Sequence, residues 1–355
     1  MLFERPLIAV DIGSSSIKMM EISGKTSARS LKSYGVELIP TGAIDDGVIQ
    51  DSAAVIDAVA RLASKMGVKG RRAAVSLAGS GVLIRKVSVP SGKDASIEDQ
   101  IPFHAEQAFQ LDPAGLYYDF VQLPQRATSA GETDVLLVGA RRETVEQYVA
   151  CVKDAGLKLG VIECNAFSLF NAFEHNYGTL EGLLAIVNIG ASYTQIAFLN
   201  NGVFMFNRDI AVGGSTYTRR IMELSGKSYE ESEAIKLNTI LNSNGRPNPN
   251  VQSVINEIND QLVHELHGTL AYFLKAGEIE AGTALKCVFL TGGASRSPGL
   301  DAAIAASLQA PVYPLNPFQR IEVNERKFQL ESIAGVSFVL GVAAGLGLRQ
   351  MMDKE

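Results

Sequence analysis

One short motif occurs twice in this chain. Val10-Asp11-Ile12-Gly13-Ser14-Ser15 and Val187-Asn188-Ile189-Gly190-Ala191-Ser192 agree at the valine, the isoleucine, the glycine and the second serine. Each ends an apolar run, 7–12 and 183–189, and each leads through a turn into a second run of strand character, 17–22 and 194–199. Both halves of the chain therefore open with the same strand, turn and strand, and the pattern predicts a duplicated function for the two turns. At 355 residues the chain holds two to three domain-sized units, so each half is long enough to bury a core of its own.

The turns have a recognisable chemistry. A strand ending in Asp-Ile-Gly and followed by small hydroxyl residues sets several backbone N–H groups around a tight turn that lacks bulky side chains, a nest suited to a phosphate chain. Ser14, Ser15 and Ser16 add hydroxyls, and Lys18 supplies a point charge for a phosphate oxygen. Asp11 stands where a carboxylate holds Mg²⁺ through a water. Taken alone, Asp11 and Lys18 read equally well as a hairpin with an incidental ion pair. A third element is Val288-Phe289-Leu290-Thr291-Gly292-Gly293-Ala294-Ser295, a strand running into a Gly-Gly turn ahead of a helix at 300–308. Its glycines permit close backbone approach to a flat ring. The order hairpin, hairpin, Gly-Gly turn is more specific than any one member.

Between these motifs the periodicity predicts a helix after Asp51 carrying Val55, Val59, Leu62 and Met66, then strands at 73–77 and 82–89. From 86 to 155 the pattern is strand, helix (97–109), strand (116–123), strand (135–139) and helix (144–155), a compact α+β insert with breaks at 91–95 and 126–134. The second half adds a strand at 203–207, helices at 217–224 and 229–237, a loop at 242–250 and a long helix at 253–275. The glycine-interrupted run 333–348 reads as one buried helix, too short for a bilayer.

Composition narrows the function. With 32 Lys+Arg against 38 Asp+Glu the net charge is −6, which disfavours a nucleic-acid partner. Cys151, Cys164 and Cys287 are widely spaced and flanked by apolar residues, the usage of buried reduced thiols in a cytosolic protein, and the first residues lack the pattern of a secretory leader. His264 and His267 have no evident third metal ligand, and His104 and His175 have no nucleophile partner.

Together, the three motifs resemble the phosphate 1, phosphate 2 and adenosine motifs of the actin-like ATPase superfamily, which includes actin and the sugar kinases. The placement of the insert is similar to the FtsA-like branch. Ile101-Pro102-Phe103-His104-Ala105-Glu106-Gln107, Leu116-Tyr117-Tyr118-Asp119-Phe120, Gly213-Gly214 and the helix with Glu230-Glu231-Ser232-Glu233-Ala234-Ile235-Lys236 resemble the PilM family of type IV pilus assembly proteins. The resemblance implies an α/β, actin-like (ribonuclease H-like) two-lobed ATPase fold with an α+β insert of the FtsA/PilM type. It divides the chain into a first lobe 1–85 (subdomain 1A, completed by 156–182 and 333–355), the insert 86–155 (1C), 183–216 with 285–332 (2A) and 217–284 (2B).

The same resemblance implies ATP (or ADP) with Mg²⁺ between the lobes. Asp11, Gly13, Ser14, Ser15, Ser16 and Lys18 would meet phosphate and metal from one side, and Gly190, Ala191 and Thr194 from the other. Gly213 and Gly214 would approach the nucleotide by backbone, Glu233 and Lys236 would lie near ribose and base, and Gly292, Gly293 and Ala294 would face the adenosine. Two positions depart from the superfamily pattern: Asn188 replaces the usual aspartate, and Asn165 stands where a water-positioning glutamine is common. An amide takes no proton at neutral pH, so slow or absent hydrolysis is expected. The implied role is a cytoplasmic scaffold, peripheral at the inner membrane, that grips the N-terminal cytoplasmic tail of PilN in a groove between 1A and 1C and docks other pilus assembly components. Phe103, Phe109 and Tyr117 are candidate groove residues. The competing readings are a sugar or small-metabolite kinase on the same fold and an FtsA-like polymer protein.

Overall fold

The apolar run of the first motif becomes strand β1 (Ile8–Ile12), all five residues of which are buried. The computed structural model describes residues 6–25, 28–90, 96–123, 131–241, 248–277, 279–280 and 282–349. After β1 come β2 (Ser16–Ser23), β3 (Arg29–Leu38), a short ribbon of β4 (Ile44–Asp45) and β5 (Val48–Ile49), helix α1 (Ser52–Lys65) and β6 (Arg72–Leu77). The Asp51 carboxylate caps α1 by accepting the Ala54 N–H at 3.0 Å. The insert contributes β7 (Val82–Pro90), α2 (Ile97–Phe109), β8 (Leu116–Gln122) and β9 (Glu132–Arg141), followed by α3 (Arg142–Asp154). Next are β10 (Lys158–Cys164) and α4 (Asn165–Tyr177). The second half holds β11 (Leu183–Ile189), β12 (Thr194–Asn200), β13 (Val203–Ile210), α5 (Gly214–Ser225), α6 (Tyr229–Leu241), α7 (Pro249–Lys275), β14 (Leu285–Thr291), α8 (Leu300–Leu308) and β15 (Val312–Pro314). The chain closes with β16 (Ile321–Glu322), α9 (Leu330–Ala334) and α10 (Gly341–Leu348).

The duplication read from six residues extends to two whole sheets. The first has the order β10-β6-β1-β2-β3-β16, and the second, written from its far end, β15-β14-β11-β12-β13. Pairing senses match as well: β1 and β11 are each antiparallel to the strand after the turn and parallel to β6 or β14 on the other side. In the first lobe α1 and α3 bury Val55, Val59, Leu62, Tyr148 and Val152 against one face of the sheet, and α10 covers the other. In the second lobe the apolar stripe of α7, including Ile255, Ile258, Leu262 and Phe273, covers one face. The aromatic residues of α4 cover its other face, with the Phe173 ring 4.9 Å from Phe289.

The insert is a three-stranded antiparallel sheet of order β7-β9-β8 with α2 on one face. Helix α3, grouped with the insert by its sequence position, packs its buried side into the first-lobe core instead, because Val145, Tyr148, Cys151 and Val152 recur on one face and meet α1.

The run 333–348 is not one helix. It is α9, a tight turn at Ser337–Val339, and α10. The break frees the Phe338 carbonyl, which accepts the Gly292 N–H at 2.6 Å and the Thr291 hydroxyl at 2.9 Å, tying the C-terminal segment to the Gly-Gly turn. Beyond the break, Gly345 allows α10 to lie directly on the Ser168 backbone of α4. The break read at 91–95, most of those at 126–134 and 242–250, and the residues after 349 lie outside the described residues. Among the described residues, no helix is long and apolar enough to cross a membrane.

Candidate functional site

The two hairpins are closed alike. Gly13 N–H donates to the Ser16 carbonyl at 3.1 Å, and Gly190 N–H donates to the Tyr193 carbonyl at 3.0 Å, the same three-residue span. In the first hairpin Asp11 is the register partner of Lys18, and the ammonium lies 3.4 Å from the carboxylate with both side chains largely buried. A Cβ on Gly13 would stand 2.7 Å from Lys18 Nζ, so the missing side chain is what lets the ammonium rest over the turn. Ser14 is half-buried, Ser15 exposed and Ser16 buried, with Ile39 N–H donating to the Ser15 carbonyl at 3.2 Å. In the second hairpin Asn188 pairs in register with Gln195.

Register carries these pairs into two polar rows. Lys18, Asp11, Ser76 and Glu163 lie side by side across the first sheet. Asp209, Gln195, Asn188 and Thr291 lie side by side across the second. Opposed residues share a face of a sheet, so each row is a polar strip beside its hairpin. The Ser76 hydroxyl and the Gln195 side-chain oxygen are buried without a partner among the described residues. Burial pushes Asp209 up to about 6. Hydrogen bonds from Gln195 and Asn207 work against that rise, the Asp46 carboxylate adds to it, and the Gly79 N–H, donated from the first lobe, opposes it.

In the second lobe the start of α5 is strapped to the turn. The Gly190 carbonyl accepts the Gly214 N–H at 2.9 Å, and the Ala191 carbonyl accepts the Ser215 N–H at 2.8 Å. A Cβ on Gly213 would lie 2.7 Å from the Ala191 oxygen and 2.9 Å from both the Gly190 oxygen and the Tyr193 nitrogen, so only glycine fits there. Lys236, buried, donates to the Gly214 carbonyl at 3.1 Å, the Thr218 hydroxyl at 3.0 Å and Glu233 at 2.7 Å. Thr218 also donates to Glu233. Burial lowers the Lys236 pKa, and the Glu233 carboxylate partly restores it. Gly214 faces both Lys236 Nζ and Ala294 Cβ, at 3.4 and 3.6 Å from its absent Cβ. Gly292 adopts a left-handed φ of +93°, and a side chain there would come within 2.6 Å of Asn188 Oδ1. Beside Gly293 the Cβ direction meets only Val339, at 3.8 Å.

Most of the predicted residues gather at the two hairpins, Glu233 and Lys236 lie against the start of α5, and Thr194 differs in role. Thr194 is fully buried, and its hydroxyl donates to the Val212 carbonyl at 2.7 Å, a tie within the sheet. Asn165, the first residue of α4, is buried and donates from Nδ2 to the Tyr193 hydroxyl at 3.4 Å, while its Oδ1 has no partner among the described residues. Burial, together with the charges of Asp209 and Asp11, holds the Tyr193 phenol well above its ordinary range, so it stays protonated. Three residues of this assembly escaped the sequence reading. Gln195 was accessible, since it follows Asn188 by the same span as Lys18 follows Asp11. Tyr193 was marked only as the one aromatic in a turn of small residues, and Asp209 had no signal in a single strand. No group of three or more metal-ligating side chains occurs among the described residues.

A separate groove of about 430 Å³ runs between the first lobe and the insert. Leu77, Val145, Val149, Ile162 and Cys164 form one wall, and Tyr117, Val138 and Ala140 the other. The Arg142 guanidinium stacks 4.1 Å above the Tyr117 ring at the rim. Strand β8 is an edge of the insert sheet. Of the three aromatic candidates only Tyr117 lines this groove. Phe109 fills the insert core against Gly139, and Phe103 lies exposed on α2.

Comparison with known proteins agrees with this architecture. The chain superposes on the PilM-PilN type IV pilus biogenesis complex with a TM-score of 0.85 at 22% identity, covering 97% of this chain and 98% of that one. It superposes on ethanolamine utilization protein EutJ from Carboxydothermus hydrogenoformans with a TM-score of 0.58 at 14% identity, covering 96% and 89%. For MreB 5 of Spiroplasma citri bound to AMPPNP the TM-score is 0.50 at 14% identity, covering 96% and 95%. These likenesses establish the two-lobed actin-like fold. Cell division protein FtsA of Bacillus subtilis (strain 168) is 26% identical over 258 residues, a match spanning 64% of this chain and 57% of FtsA. The model of the family described as type IV pilus assembly protein PilM matches residues 9–351, nearly the whole chain, and the protein belongs to that family.

Proposed function

We propose that this chain is a nucleotide-clamped scaffold of the type IV pilus assembly machinery. ATP (or ADP) with Mg²⁺ seats between the two hairpins, and the groove between first lobe and insert takes the N-terminal tail of PilN. The observation that carries the reading is the pair of hairpins with identical glycine closure, each beside a polar row. The residues fit the ligand: a buried carboxylate at Asp11, an ammonium at Lys18, hydroxyls at Ser14 and Ser15, and buried polar atoms of Ser76, Gln195 and Asn165 without partners among the described residues. One carboxylate with room for water is the donor set that suits Mg²⁺, which when bound neutralises phosphate charge. Gly213, Gly214, Gly292, Gly293 and Ala294 leave the base side free of bulk, and Lys236 and Glu233 form its polar edge. A solved relative in complex with PilN and a fold neighbour bound to AMPPNP support both halves of the reading.

Chemistry favours holding over turnover. Asn188, Gln195 and Asn165 offer amides where a water needs a base, and an amide accepts no proton at neutral pH. The same absence weighs against a sugar or small-metabolite kinase, which needs a carboxylate aimed at its acceptor hydroxyl. An extended peptide gains main-chain hydrogen bonds from an edge strand such as β8 and specificity from apolar pockets beside it. The scaffold then works at the cytoplasmic face of the inner membrane, held there through PilN.

Calorimetric titration tests both sites. Asp11→Ala lowers Mg-ATP affinity at least tenfold, and Tyr117→Ala, a half-exposed rim position, weakens a PilN N-terminal peptide at least fivefold. Unchanged uptake of Mg-ATP by Asp11→Ala overturns the nucleotide site, and unchanged peptide affinity overturns the groove.

A further inference from the structure

The groove draws on strands β6 and β10 of the sheet that carries the first hairpin. Leu77, Val149 and Cys164 line the groove from three different elements, β6, α3 and β10. For Leu77 and Cys164 a neighbour in the chain, Ser76 or Asn165, is tied to a hairpin. Ser76 is the register partner of Asp11, on the opposite face of its strand from Leu77. Tyr148, beside Val149, is buried in the first-lobe core and donates to the Gly47 carbonyl at 3.0 Å. Asn165 begins α4 and reaches the Tyr193 hydroxyl of the second hairpin.

We propose that occupation of the groove and of the cleft is energetically linked, and that the Asn165–Tyr193 contact is the positioning link between them. This deepens, and rests on, the two-site reading above. A peptide seated against Ile162 and Cys164 fixes the β10 to α4 junction, and with it the Asn165 amide. The amide in turn holds Tyr193, whose carbonyl closes the second hairpin. A nucleotide arriving at a hairpin already held pays less ordering entropy, so the linkage is positive, and it is reciprocal by necessity. Close packing of the wall lets no element move alone: Leu77, Tyr148 and Cys164 are each at most 5% exposed.

The experiment titrates Mg-ATP and a PilN N-terminal peptide into the full chain, each with and without saturation by the other. The expected result is at least a threefold tightening of each by the other. Tyr193→Phe, which deletes only the hydroxyl, is expected to cut that factor to less than half, the factor being taken against the variant's own separate affinities. Asn165→Ala removes the same contact from the other side and decides the matter if Tyr193→Phe loses nucleotide altogether. A wild-type factor below three overturns the linkage, as does retention of more than half the factor by the deciding variant. If either ligand alone fails to bind the wild-type chain, the underlying reading falls and the linkage with it.

Discussion

The two lobes share strand order, pairing sense and hairpin closure, yet they present opposite chemistry to the space between them. The first hairpin carries an ion pair, Asp11 with Lys18. At the same register the second carries two amides, Asn188 with Gln195, and its carboxylate sits one strand further out, at Asp209. Duplication explains the common geometry, since both halves close the same turn with the same backbone bond. It does not explain the side chains: where the first hairpin keeps a buried carboxylate and ammonium, the second keeps two amides, and on the function proposed above the first would hold the metal-bound phosphate chain.

The largest effect expected from erasing that difference is on turnover. Asn188→Asp gives the second hairpin the carboxylate of the first. The side chain keeps its shape, so its fit beside Gly292, where even a Cβ would come within 2.6 Å of the amide oxygen, is retained. Phosphate release at saturating Mg-ATP is expected to rise by about 10²-fold, the low end of what a positioned base contributes. A variant that binds Mg-ATP as tightly as the wild type and releases phosphate no faster would show that geometry, and not the amide, limits the reaction.

A second comparison sets glycine against glycine. Alanine at Gly213 would press its methyl group on three backbone atoms at 2.7 to 2.9 Å, and backbone of the strapped turn has to move. The expected cost in urea unfolding is about 1–3 kcal/mol, typical of overpacking. Alanine at Gly13 would press mainly on the end of the Lys18 side chain, which swings aside. Its stability cost is expected to stay below about 1 kcal/mol, while Mg-ATP affinity falls because the ammonium leaves the turn. Equal stability losses at the two positions would mean that the hairpins differ less in construction than their contacts indicate.

What the sequence made legible follows the same division. Local, periodic features were readable: the two hairpins, the α7 stripe of Ile255, Ile258, Leu262 and Phe273, and the Gly-Gly turn. Contacts decided by register were half readable, since Gln195 follows from counting along the repeat, whereas Asp209 depends on how β13 pairs with β12. Long-range packing was not. The face of α3 reads the same whether it covers the insert or α1, and nothing in 333–348 announces that the Phe338 carbonyl is needed by Gly292 and Thr291, 46 or 47 positions away.

The smallest effect concerns the displaced carboxylate. Asp209 has no cation at its register position, only Gln195, and burial, with a smaller push from the Asp46 carboxylate, raises its pKa to about 6 against an ordinary value of 3.8. The folded chain therefore binds this proton more tightly than the unfolded chain, and the group's contribution to stability is present below about pH 4 and lost as pH rises toward 6. Asp209→Asn cannot titrate, and it keeps an oxygen for the Gly79 N–H. Relative to the wild type the variant is expected to gain on the order of 1–2 kcal/mol between pH 4 and pH 7, allowing for partial solvent screening. Urea unfolding of both proteins at the two pH values isolates the group, because every other carboxylate cancels in the difference. If Asp209→Asn instead follows the wild type at both pH values, burial does not hold the second lobe's carboxylate up, and the chemical asymmetry of the halves reduces to Asn188 alone.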